Sequence, residues 1–350
     1  MADNRLDENG FNEKEVELIE NNLSKAKEET RYSSDEKFNR IYKNIIEKYG
    51  EELETMRTAT VDYSKGALIL VIVGIVFAFS IFLIWASVIC WILAYNLKNK
   101  SKGRKLVSRS DYKDKFYSVT VDEIKKELNQ PNIDYIKIDK QTSDYNNAEF
   151  EKYDVYVQSG AFGGTLNNGC EYTLFDVLTK KEHVTEETDS NGNKTEKTTY
   201  TTLFDGCFCR LKLPKSIDFN FYLRHDTHEK SSSKSTGPAN KEKLRVQLDS
   251  SEFEEEYDVY SNDQIKTFQF LTSNMMETMT QIKDNLGVRI ELTLKKDMLY
   301  IRFHNIDVFA MNSQNSLDER VIYDLYKISS FSIELSNLIL NQLENNSIAD

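Results

Sequence analysis

Apolar positions in this chain recur with three different periods. Near the start they come at steps of three and four. Val16, Ile19, Leu23 and Ala26 form one such set, and the spacing predicts a helix over about Glu13–Glu29. Phe38, Ile41, Tyr42, Ile45, Ile46 and Tyr49 form a second set behind a Ser33/Glu36 capping box. Leu53 and Met56 carry that pattern past Gly50. The two stripes predict a helical polar arm over residues 1–66, whose narrow faces suit a stalk or a docking partner.

From Ala67 to Leu97 the periodicity vanishes, because no charged residue occurs at all. An uncharged run beyond about 18 residues predicts a membrane segment. As one helix it would be roughly 46 Å long, against a hydrocarbon core of ~30 Å. As a hairpin turning near Ser80, each leg would be some 22 Å, which is short for a full span. The anchor is therefore one long tilted helix or a short helical hairpin.

Beyond it the pattern changes to alternation. Strands are predicted at Tyr153–Gln158, residues 171–184, Thr198–Leu213, Ile217–Leu223 and residues 244–248. Ser159–Gly164 reads as a glycine-rich turn, and Asn191-Gly192 as a hairpin tip. Val288, Ile290, Leu292 and Leu294 alternate cleanly, and a Lys296-Asp297 turn joins them to Leu299, Ile301 and Phe303. Helical spacing returns at Thr120–Asn129 and Asp263–Phe270. It recurs at Met275, Met276, Met279, Ile282 and Leu286 ahead of a Gly287 stop, and over a long stretch from about Leu317 to Leu343. The fold class is α+β: a mainly antiparallel β-sheet domain with packed helices and a long C-terminal helix. The layout is a helical arm at 1–66, an anchor at 67–97, a basic juxtamembrane linker at 98–112 and a cytosolic α+β domain at 113–350.

Charge bears on the anchor. Lys98, Lys100, Lys102, Arg104, Lys105 and Arg109 follow it directly, and such a cluster stays on the cytoplasmic side. These six cations are also the residues placed to contact anionic lipid headgroups at the membrane surface. The arm before the anchor holds eleven Lys and Arg residues and opens on MADNRLDENGF, which has no apolar signal-peptide core. A hairpin keeps both polar parts in the cytosol, and a single pass would export the arm. The expected location is the cell membrane, with the large domain facing the cytoplasm.

The net charge of the 350 residues is -12, which argues against nucleic acid as a partner. Cys170, Cys207 and Cys209 show no paired framework, consistent with a reducing compartment, and no recognised zinc spacing joins them to histidines.

The segment Phe253–Met279, with Phe253-Glu254, Val259-Tyr260-Ser261-Asn262-Asp263-Gln264 and Leu271-Thr272-Ser273, resembles the domain-of-unknown-function family 3137 of bacterial membrane proteins. Residues 287–301, 202–223 and 151–177 add to the likeness, which spans roughly residues 45 to 310. The resemblance implies two closely spaced membrane segments and supplies no activity.

Candidate chemistry is sparse. His225 and His228 stand at i and i+3, but at the edge of a polar loop, and His304 reads as a satisfied edge histidine. Gly160, Gly163 and Gly164 lack the lysine of a phosphate loop, and no nucleophile motif occurs. No catalytic residue, metal ligand or cofactor is expected. The chain reads as a membrane-anchored module binding a protein or lipid partner, with the N-terminal helices open to a protein. The alternatives are a membrane-face enzyme and a transporter accessory subunit.

Overall fold

The computed structural model describes residues 32, 34–59, 69–73, 84–101, 109–137, 143–188, 194–225, 244–309 and 318–345. Alternation sorts the strand side chains onto two faces. Along β9 (Met298–His304), Leu299, Ile301 and Phe303 enter the main core, while Met298, Tyr300 and Arg302 face the other way. β8 (Ile290–Lys295) follows suit, with Ile290, Leu292 and Leu294 in the main core.

The remaining strands are β1 (Ile133–Tyr135), β2 (Val155–Thr165), β3 (Glu171–Thr188), β4 (Lys194–Lys212), β5 (Asn220–His225), β6 (Leu244–Val246) and β7 (Tyr257–Ser261). They form one sheet in the order β1-β2-β3-β4-β9-β8-β5-β7-β6, and every neighbouring pair is antiparallel. The α+β class with a large antiparallel sheet and a long C-terminal helix is what the sequence predicts.

Helices cover one face. They are α1 (Glu36–Ala59), α2 (Ile84–Ser101), α3 (Arg109–Glu127), α4 (Ser251–Glu254), α5 (Gln264–Phe270), α6 (Ser273–Leu286) and α7 (Glu319–Asn345); none of the described side chains of α2 is part of the main core. The stripe of α7, including Leu325, Ile328, Phe331 and Leu335, lies on the sheet, where Phe331 meets Phe303 edge-on at 5.7 Å. Small residues let the helix approach closely: Ser329 stands 3.4 Å from the Tyr172 hydroxyl. Gly287, at φ 66, ends α6 with its N–H on the Lys283 carbonyl, the left-handed stop that glycine allows. The other face carries a smaller aromatic core of Tyr145, Phe150, Phe175, Phe204, Phe208 and Tyr300, closed by a strap over residues 143–153 that begins as a 3-10 turn.

Three sequence expectations are corrected. The glycine run at 159–164 is not a turn. It lies inside β2, where a bulge shifts the register between Ser159 and Phe162 and Gly160 takes φ 61. A Cβ on Gly163 would strike the Tyr172 carbonyl, and one on Gly164 the Asn132 carbonyl, so glycine here serves close strand approach. The linker expected over 98–112 is helical at both ends, because α2 runs to Ser101 and α3 starts at Arg109. The N-cap of α1 is Asp35, whose carboxylate accepts from the backbone N–H of Lys37 and Phe38. The expected cap Ser33 and the expected helix Glu13–Glu29 lie outside the described residues.

The arm is also not separate from the domain. Phe38, Ile41, Ile45 and Leu53 of α1 are part of the main core, and Asp35 pairs with Lys327 of α7 at 2.5 Å. The stripe that predicts a helix finds its apolar partner within the chain itself.

Candidate functional site

The apolar segment is held by a stem. α1 and α3 flank it in sequence and pack against each other in an antiparallel pair. Arg40 reaches Glu127 at 2.5 Å, Lys48 reaches Glu123 at 3.0 Å, and Lys115 reaches Glu52 at 3.0 Å. Early residues of α1 thus meet late residues of α3, and the end of α1 meets the start of α3. Ala59 and Arg109, the two flanks of the insert, leave the stem at the same end. Glu123 is the stem's central charge: its side chain is 1% exposed and also takes Lys126 at 2.8 Å and the Asn44 amide at 3.2 Å. Burial opposes ionisation of Glu123, but hydrogen bonds from Lys126 and Lys48 hold its carboxyl below the usual range.

Of the expected anchor, residues 69–73 and 84–97 are described, both helical, and residues 74–83 with the expected turn at Ser80 are not. No described helix is long and apolar enough to cross a membrane. The apolar part of α2, Ile84 to Leu97, would be about 21 Å long. Among its described side chains Val88, Ile89, Trp91, Ile92, Leu93 and Tyr95 are exposed, Tyr95 at 66%, while Ala94 is buried and Cys90 half-buried. A helix that is apolar all round needs an apolar surrounding. Of the six cations assigned to the membrane surface, Lys98 and Lys100 lie on the last turns of α2 and Arg109 opens α3. Lys102, Arg104 and Lys105 lie outside the described residues.

The sheet face under the strap holds a constellation that sequence spacing does not reveal. Arg302 donates to Glu291 through Nε, and through Nη1 to Glu151 and, at 3.1 Å, to the Tyr145 hydroxyl. Glu151 also accepts from the Tyr145 hydroxyl at 2.6 Å and from Thr179 Oγ1 at 2.8 Å. Glu291 meets His304 Nε2 at 3.1 Å and accepts the His225 backbone N–H at 3.2 Å. Arg224 donates to the Leu292 carbonyl at 2.5 Å, Thr293 Oγ1 at 2.9 Å and the Glu149 carbonyl at 3.3 Å. The Phe150 ring lies between the two guanidiniums, 4.4 Å from Arg302 and 4.6 Å from Arg224.

Burial disfavours the charge on Glu291, yet Arg302, the His304 hydrogen bond and Arg224 hold its carboxyl far below the usual range. Burial works against Arg302 as well, and Glu291 outweighs it, raising the guanidinium pKa. Arg224, with no carboxylate in contact, is brought down to about 10 by burial and remains charged at neutral pH.

Two arginines face two glutamates, and each is hydrogen-bonded. That arrangement fastens the strap to β5, β8 and β9. Two clefts are described, one of about 440 Å³ beside Phe253 and Met276 and one of about 330 Å³ beside Lys212 and Pro214, and no network residue lines either. Perturbed charges in an open cleft would favour an enzyme. Here they are paired beneath a strap. His304 ends β9 and meets Glu291, but β9 is an interior strand between β4 and β8 and not an edge. Beside the network, burial and then Arg289 lower the pKa of His225. His228 lies outside the described residues. Cys207 and Cys209 share one face of β4 as buried free thiols, both raised by burial, Cys209 to about 12.

Residues 202–343 match the model of the family described as Protein of unknown function (DUF3137). The match begins at Thr202 and reaches Leu343, so it takes in α7 and leaves out the apolar segment. No curated protein matches the chain. Among solved structures, the crystal structure of the mycobacterial trehalose monomycolate transport factor A, TtfA, aligns at 12% identity with a TM-score of 0.24, covering 46% of this chain and 75% of that one.

Proposed function

We propose that this chain, whose residues 202–343 belong to the DUF3137 family, is a membrane-anchored module that presents its α+β domain to a protein or lipid partner. The reading takes the segment at 67–97 as a short helical hairpin dipping into the cell membrane, with arm and domain both on the cytoplasmic side. One observation carries it: α1 and α3 pack antiparallel, so Ala59 and Arg109 leave the stem at one end. A single pass would place those two ends on opposite sides of the bilayer and pull the stem apart. The exposure of Val88, Ile89, Trp91, Ile92, Leu93 and Tyr95 along α2 supports burial in lipid.

In this reading Lys98, Lys100, Lys102, Arg104, Lys105 and Arg109 lie on the anionic headgroups, and the helix expected over Glu13–Glu29 is the part of the arm left for a protein partner. The enzyme alternative is weakened because Arg224, Glu151, Glu291 and Arg302 are all hydrogen-bonded within the network and line neither described cleft. The test is topological. An alkaline phosphatase fused to the N-terminus should be inactive in bacterial cells, and the chain should stay in the membrane pellet after a carbonate wash. Phosphatase activity would overturn the hairpin, and release by carbonate would overturn the anchor.

A further inference from the structure

The β3–β4 hairpin outgrows the sheet. β2 pairs with β3 only as far as Lys180, and β9 pairs with β4 only from Gly206 onward. Among the described residues, β3 beyond Lys180 and β4 before Gly206 therefore have no third strand in their ladder and form a two-stranded ribbon, held at its root by Glu182 N–H on Asp154 at 2.8 Å and Asn305 N–H on the Asp205 carbonyl at 2.9 Å. Nearly all its side chains are exposed, Tyr200 at 54% and Val184 at 56%. A two-stranded ribbon has marginal stability by itself, and a free edge is a template for another strand.

The two edges differ in chemistry. The β3 edge carries Lys181, Glu182, Glu186 and Glu187, and pairing it with itself about Val184 would set Glu182 against Glu186. Charged edges of this kind resist pairing. The β4 edge carries Thr198-Thr199-Tyr200-Thr201-Thr202, without charge, every residue β-branched or aromatic. This run reads the same in both directions.

We propose that the β4 edge pairs antiparallel with the same edge of a second copy, about a twofold axis at Tyr200. Thr198 then opposes Thr202, Thr199 opposes Thr201 and Tyr200 opposes Tyr200. Within Thr198–Thr202 the opposed residues are an even number apart, so each pair shares one face, as a twofold normal to the sheet requires; a bulge at Leu203, where Lys180 pairs with Thr202 and Thr179 with Phe204, limits the seam to these five residues. The nearest charges, Glu196 and Lys197, lie outside that five-residue seam. The two ribbons become a four-stranded sheet with a domain at each end. Cross-strand Thr–Thr and aromatic pairs are favourable in this setting.

The test uses the full chain in detergent with Cys90→Ser. Adding Tyr200→Cys should give a covalent dimer on mild oxidation, because opposed Cβ atoms lie ~5 Å apart. Adding Val184→Cys instead should not, since that residue is on the outer strand. Thr199→Lys with Thr201→Lys opposes lysines across the seam. That double change should abolish the cross-link and halve the mass by light scattering, without moving the melting temperature. A Tyr200→Cys chain that stays monomeric, equal cross-linking at both positions, or a mass unaffected by the lysines would each overturn the proposal.

Discussion

Lys115 pairs with Glu52 at 3.0 Å, although the whole apolar segment lies between them in the sequence. The pair is half exposed and contributes little energy by itself. Its value is geometric, because it fixes the end of α1 beside the start of α3 at the point where the chain leaves for the insert. Replacing both with cysteine, in a Cys90→Ser background, should let a short bis-maleimide link α1 to α3 within one membrane-bound chain without loss of folding. Failure of that cross-link to form would argue against the stem.

Glu123 is the part of the stem that carries energy. It is buried and takes two ammonium groups and an amide. Glu123→Ala strands none of the lysines in the interior, since Lys48 and Lys126 are half exposed. The expected loss is therefore that of charge-assisted hydrogen bonds, about 2 kcal/mol. In a domain of this size that is a fall in Tm of roughly 4–8 °C, measurable by calorimetry in detergent.

Arg302 is a harsher case. Arg302→Met would leave Glu291 and Glu151 without their common cation under the strap. Removing one partner of a buried pair costs about 3–5 kcal/mol. Glu151→Gln with Glu291→Gln in the same chain should recover much of that loss, because an amide tolerates burial where a carboxylate does not. Urea unfolding of the single and triple variants reads the difference, and a triple variant no more stable than the single one would contradict the charge account.

What the sequence makes legible follows from periodicity. The α7 stripe and the β8–β9 hairpin repeat regularly over enough residues for position alone to assign them. β1 is only three residues long and the 3-10 turn at 143–148 has no period, so both pass unnoticed. The glycine run misleads because glycine serves a turn and a tightly packed bulged strand equally well. The Arg302 network is illegible for a different reason. Its members sit on five separate segments, and only the strand order brings Arg224, Glu291, Arg302 and Glu151 together. The stem is half legible: the α1 stripe is plain in the sequence, and its antiparallel partner is not.

Two buried carboxyls should respond to pH in opposite directions. Glu291 has its pKa depressed in the folded state, so its stabilising contribution is complete above the unfolded value of 4.5 and is lost as pH falls below it. Asp176 is 4% exposed and accepts the backbone N–H of Val308 at 3.0 Å and of Phe309 at 2.6 Å. Burial outweighs those bonds and raises its pKa well above the model-peptide value of 3.8. A raised carboxyl stabilises the fold below the unfolded pKa, and that contribution is lost as pH rises through the folded one. Glu291→Gln should therefore destabilise at neutral pH and flatten the loss of stability on acidification below about pH 4.5. Asp176→Asn should remove a penalty present at neutral pH, while keeping an oxygen for one of the two N–H donors. Its stability curve should lose the decline that the wild-type carboxyl adds as pH climbs from acid toward neutral. Urea midpoints across that range for the two variants provide the check, and parallel curves would show that the two carboxyls do not titrate as their surroundings require.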